Sequence, residues 1–288
     1  MSGPASEVAQ RRAATTRLMF WEVRRELWEH RSIVIGPAII ALIVFVASLI
    51  GVLKLAVRHS DSFGSFRMTP APIMLASFVI AAIYASEALQ SEKRDRSVFF
   101  WKSMPVSDRV SVIAKTIVTL FVSPAVAFAL SLAMQVALMA VSAPVLLANG
   151  GHPLRVATEL NLASEIVIML YGLAVHSLWF APIYAWLLFI SAHVRRAPLL
   201  WAALPFFGLA AFEWLVFRSD HVETFLRYRA TGAMWEAFRG SGRRGNVSEI
   251  GQLDPIGFLT SSGLWLGLTV SVLLVALAIR ARRRQELA

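Results

Sequence analysis

Residues 33–57 read IVIGPAIIALIVFVASLIGVLKLAV, with Lys54 as the only charged side chain. A bilayer core needs about 20 consecutive apolar residues in a helix, and this run exceeds that length. Working outward, five more runs of the same character lie at 72–87, 110–143, 162–190, 198–217 and 256–279. None alternates apolar and polar residues as a barrel strand does, so each must satisfy its backbone as a helix. The chain therefore reads as an all-α integral membrane protein with six transmembrane helices spanning 33–279. With 57% hydrophobic and only 16% charged residues, the composition agrees. The run at 110–143 is longer than a bilayer requires, which predicts a tilted helix or one that continues into water.

The segments between the runs set the expected topology. Lys and Arg number 18 in 1–32, 91–115, 191–197 and 280–288 together, against 9 in 58–71, 144–161 and 218–255. The positive-inside rule puts the first set, with both termini, in the cytoplasm. The formal net charge of +10 follows from that asymmetry and suits contact with anionic lipid, not nucleic acid. Residues 1–14 read as a mobile tail and 280–288 as a basic cytoplasmic tail. The amino-terminal 30 residues lack the apolar core of a cleavable signal, so the first run is expected to act as its own signal anchor.

Residues 15–31 read as an amphipathic helix at the cytoplasmic interface. Phe20, Val23 and Leu27 share one side, flanked by Met19, Trp21 and Trp28, while Glu22, Arg25, Glu26 and Glu29 occupy the other. Of the outer segments, 218–255 is the longest, with an amphipathic piece near 230–238. It reads as either a small cap over the outer mouth or a surface loop.

Chemistry of the chain's own is sparse. There is no P-loop, no His-Glu-x-x-His and no Gly-x-Ser-x-Gly, and the six histidines lack ligand spacing. The absence of cysteine excludes thiolate metal sites. No metal, no cofactor and no catalytic residue are expected on this chain. Ionisable groups inside apolar runs are costly and call for an explanation. Lys54, Glu87 and Glu165 sit near run ends. His176 and Glu213 lie deeper and are candidate pathway residues, or hydrogen-bonding partners of neighbouring helices. Pro124, Pro182 and Pro205 interrupt the third, fourth and fifth runs and predict kinks there.

One hydrophilic segment does not look like a simple connection. Within 97–106, Val98, Phe99, Phe100, Trp101 and Met104 are large and apolar. Asp95 or Ser97 is placed to cap a short helix that Pro105 ends. On that helix Ser97, Phe100, Trp101 and Met104 share a face at i, i+3, i+4, i+7 spacing, the pattern of an anchor laid in a partner's groove. Packing against its own bundle or lipid headgroups would use the same face.

The order Glu92-x-x-Asp95-Arg96-Ser97, Phe100-Trp101-Lys102-Ser103, Pro105-Val106-Ser107 and then Lys115 resembles the first cytoplasmic loop of ABC exporter permeases of the ABC-2 type. The six runs and the helix before them are similar in plan. The resemblance implies a permease subunit of an ATP-driven exporter in a bacterial inner membrane, paired with a second copy or paralogue in a 2+2 complex. A separate ABC-type ATPase would hold ATP and Mg. Ser97, Phe100, Trp101, Lys102 and Met104 would then form a coupling surface within 91–110, Glu92, Arg94, Asp95 and Arg96 its ionic surround, and Pro105 its exit. Trp21, Arg25 and Trp28 would brace the same partner. The charge of 218–255 departs from the re-entrant hairpin that the resemblance implies. A six-span scaffold or sensor that recruits a cytoplasmic protein without transport is the rival reading.

Overall fold

The structure, a computed structural model, describes residues 4–58, 70–91, 107–148, 162–239, 247 and 249–284. The elements in order are α1 (Pro4–Glu29), α2 (Ser32–Arg58), α3 (Pro70–Glu87), α4 (Asp108–Ile117), a π-helical turn (Val118–Val122), α5 (Ser123–Ala148), α6 (Leu162–Trp179), α7 (Ala181–His193), α8 (Pro198–Phe217), α9 (His221–Ala237), a 3₁₀ turn (Ile250–Gln252), α10 (Pro255–Thr260) and α11 (Ser262–Arg284). The described residues are all-helical and contain no β-strand, only an isolated antiparallel bridge between Phe238 and Leu253. Five helices are long and apolar enough to cross a membrane, or six if the bent pair α6–α7 makes one crossing.

Each apolar run forms a helix, but three do so with a local departure. The third stays helical from Asp108 to Ala148 and passes through the π turn just before Pro124. Proline offers no N–H to the preceding turn. The Leu120 carbonyl there accepts instead from Ser177 Oγ of α6 at 2.6 Å. The fourth run is broken at Phe180, two residues before Pro182, and its halves diverge by 47°. In the sixth, Asp254 caps α10 by accepting from Gly257 N at 3.0 Å, and Ser261 separates α10 from α11. Pro205 leaves α8 unbroken. Helix extends beyond the expected limits at both ends of the chain: α1 starts at Pro4, within the segment read as a tail, and α11 runs to Arg284, into the expected basic tail.

Four apolar cores hold the described helices together, and two of them are the larger. The first joins Ile33 of α2, Tyr84 and Ala85 of α3, Val118, and Tyr184 and Leu188 of α7, with Val23 and Leu27 of α1 packed on its edge. The second gathers Val175 and Trp179 of α6, Ala233 and Ala237 of α9, Phe258 of α10 and Leu264 of α11. Between α3 and α5, Ser77 Oγ donates to the Ser123 carbonyl at 2.9 Å, small residues letting two backbones meet. By contrast, α8 turns Leu200, Phe207, Leu215 and Phe217 outward, the surface expected of a helix long and apolar enough to cross a membrane.

Residues 218–255, read as cap or loop, contain the 17-residue helix α9 packed on the broken run. Asp254 N donates to Ala237 O at 2.9 Å, and Arg239 pairs with Asp254 at 2.8 Å, closing the chain between them.

Candidate functional site

The most tightly organised polar cluster joins α1 to the start of the third apolar run. Glu26 of α1 and Lys115 of α4 are fully buried, and Lys115 Nζ meets Glu26 Oε1 at 2.6 Å. Tyr84 OH donates to Glu26 Oε2 at 2.7 Å. Arg25 Nη1 donates to Glu22 Oε1 at 3.0 Å, and its Nη2 to Glu26 Oε1 at 3.2 Å. The His30 ring lies edge-on to Tyr84, with centroids 4.9 Å apart. Ser107 starts α4 by accepting from Val110 N, with Asp108 in the first turn, and this start sets which turn carries Lys115.

Burial alone would raise the Glu26 carboxyl. The Lys115 charge and the hydrogen bonds from Lys115 and Tyr84 outweigh it and hold Glu26 below the usual carboxylate range. Burial also works against the Arg25 charge, but Glu22, Glu26 and Glu29 together keep its guanidinium above its ordinary value. The cluster holds no nucleophile aligned with a base. What it does is mechanical: it fixes α1, α3 and α4 to one another at a single carboxylate.

Around this junction the same end of the bundle is closed by further ties. Arg282 Nε donates to Asp108 Oδ1 at 2.9 Å, linking the end of α11 to the start of α4. Leu89 N and Gln90 N, freed where α3 ends, both donate to Ser191 Oγ of α7 at 3.0 Å. Gln90 Nε2 donates to Arg195 O at 2.7 Å. Leu89, Val112, Ala192 and Ala278 pack together beneath them. Thus residues 88–91 and 107–115, which border 92–106 on either side, are anchored at one end beside the connection at 194–197 and the end of α11.

The proposed coupling residues Glu92, Arg94, Asp95, Arg96, Ser97, Phe100, Trp101, Lys102, Met104 and Pro105 lie outside the described residues. The sequence left open which side of α1 faces the protein. The acidic side, with Glu22 and Glu26, turns into the protein, because Lys115 and Tyr84 wait there. Phe20, Trp21 and Trp28 are exposed, Trp28 at 64%. Arg25 is part-buried against Glu22 and Glu26, and Arg24 lies 4.7 Å from the Trp28 ring centroid.

His176 and Glu213 are held by separate local partners. His176 Nε2 is 2.8 Å from Tyr184 OH across the α6–α7 bend, and its ring stacks on Phe78 with centroids 3.5 Å apart. Glu213 accepts from Ser219 Oγ, His221 N and Val222 N at 2.7–2.9 Å, and so caps the start of α9. No group of three or more His, Asp or Glu suited to a metal occurs among the described residues.

No protein-family model, curated protein or solved structure matches the chain.

A second cluster, invisible as a motif, sits at the break between α6 and α7. Arg229 of α9 is buried and donates to Trp179 O, and at 3.1 Å to Gly263 O, while its guanidinium lies 4.6 Å from the Trp179 ring centroid. Trp179 Nε1 returns a bond to Arg229 O at 2.9 Å. A side chain at Gly267 would run into Arg229, its Cβ falling 2.9 Å from Cζ. Arg229 thus satisfies a carbonyl at the helix break, and glycine on α11 makes room for it. Sequence reading missed Glu26, Tyr84, Ser191 and Arg229. Only Lys115 carried a signal, as a cation inside the apolar stretch VIAKTIV.

Proposed function

We propose that this chain is the permease subunit of an ATP-driven exporter, with six crossings, α1 along the cytoplasmic interface and both termini in the cytoplasm of a bacterial inner membrane. A separate ABC-type ATPase supplies the ATP and Mg site, and a second copy or paralogue completes the membrane pathway. The observation that carries the reading is the Glu26–Lys115–Tyr84 junction together with the Arg282–Asp108 tie. A segment recruited by a moving partner needs rigid flanks, and these bonds make the flanks of 92–106 part of the bundle. ATPase closure on that segment favours one arrangement of the helices by differential binding to it.

The test is Phe100→Asp with Trp101→Ala in the full chain, co-expressed with a P-loop ATPase that co-purifies with the wild-type chain. Loss of ATPase co-purification and of permease-dependent export, with the chain still inserted in the membrane, is the expected result. Unchanged association and export removes the docking face. Association that depends on these residues but moves no substrate establishes the scaffold reading instead.

A further inference from the structure

The third apolar run carries a line of buried polar side chains, some paired within the protein and others, Ser111 near its start among them, without a partner. In the half nearest α1, Lys115 pairs with Glu26, Thr119 Oγ1 donates to the Lys115 carbonyl at 2.8 Å, and Ser123 meets Ser77. Farther along α5, Ser131 is 0% exposed and Gln135 7%. Ser131 Oγ and Gln135 Oε1 have no hydrogen-bond partner. They are one helical turn apart and so lie on the same side of α5. Ser131 does not even return its hydroxyl to the carbonyl one turn back, as Thr119 does. Polar atoms left unpaired in an apolar bundle are costly, and two of them on one side call for a partner that is not part of the chain's own packing.

From these two side chains we infer a ligand site on α5, at Ser131 and Gln135, that takes the neutral polar group of an otherwise apolar molecule. Its chemistry follows from the donor set. Gln135 Oε1 only accepts, so the ligand presents an O–H or N–H to it; Ser131 donates to a neighbouring carbonyl or ether oxygen. From Ser123 to Ala148 the helix contains no charged residue or histidine, so nothing on it favours an ionic head. Leu130, Met134 and Leu138, apolar and on α5 within one turn of the pair, flank it in the sequence. A hydroxyl beside an ester or amide carbonyl on a hydrocarbon chain fits this set. The π turn and Pro124, where the helical hydrogen-bond ladder is interrupted, lie about two turns away. That this molecule is the exported cargo rests on the export reading; the site itself does not.

The probe is dioleoylglycerol, which carries one free hydroxyl and two ester carbonyls. The full-length chain, without any ATPase, is placed in phosphatidylcholine nanodiscs with and without it, and thermal unfolding is followed. Wild type is expected to gain roughly 2–4 °C from the neutral lipid and nothing from dioleoyl phosphatidic acid. Ser131→Ala with Gln135→Leu is expected to unfold at the same temperature or higher in plain discs, since it removes unpaired polar atoms, and to lose the gain. No gain in wild type, an equal gain with phosphatidic acid, or a gain that survives the double substitution each overturns the site. A double variant less stable in plain discs also overturns it, by showing that the two side chains serve packing. Because no ATPase is present, these outcomes are independent of the docking test above.

Discussion

Lys115 and Glu26 show how one residue pair holds a boundary that neither could hold alone. Both charges are buried and Lys115 is the chief partner of Glu26, so removing it leaves the carboxylate with Arg25 and Tyr84 alone. Lys115→Met is expected to destabilise the chain by about 3–5 kcal/mol, read by thermal or denaturant unfolding in detergent. Adding Glu26→Gln is expected to recover most of that loss. The pair also sets a pH dependence. Glu26 has a folded pKa below its ordinary value, so its contribution is complete above about pH 4.3, the unfolded value. It is lost as pH falls through the lower folded pKa. Acid unfolding followed by intrinsic tryptophan fluorescence is expected to be less steep in the Lys115→Met, Glu26→Gln double variant than in wild type. In sequence Glu26 looked like one of four polar residues on a wet face. The helix wheel showed the two sides of α1, but which side turns inward depended on a lysine 89 residues away.

At the scale of elements, the apolar runs translate into helices, and their prolines mark two of the three departures. Pro124 and Pro182 announced weak points; how each is repaired was not announced, because Ser177 and Arg229 come from other elements. Ser177→Ala leaves the Leu120 carbonyl without its bond and is expected to cost about 1–2 kcal/mol. Pro124→Ala in the same chain restores an N–H to that turn and is expected to offset part of the loss, measured as a coupling in a double-mutant cycle. On the other side of the bundle, Gly267→Ala drives a methyl into Arg229 and loosens α9 from the break. Its expected cost is about 1–3 kcal/mol, with faster hydrogen exchange confined to α9 and α10. If α9 exchange is unchanged, Arg229 is not what fastens that helix.

At the scale of the whole molecule, contacts assign the segments to two ends. Residues 88–91, 107–115, 191–195 and 278–282 meet at one end with α1. The same segments were grouped by their Lys and Arg content, an independent property. Because the chain has no cysteine, single cysteines report directly. Glu223→Cys is expected to react with a membrane-impermeant maleimide on intact spheroplasts, and Arg284→Cys only after permeabilisation. Labelling of both from outside overturns the cytoplasmic placement of the carboxyl end.

What the sequence alone determined was helicity, the number and length of the apolar segments, and the charge asymmetry between their ends. These follow from local composition, since hydrocarbon accepts only segments that satisfy their own backbones. Tertiary structure decided which face of α1 is buried, where the fourth run breaks, how the freed carbonyls are repaired and which polar atoms stay unpaired. Those depend on partners far along the chain, and a buried charge or an open carbonyl takes whichever neighbour the packing brings within hydrogen-bond reach.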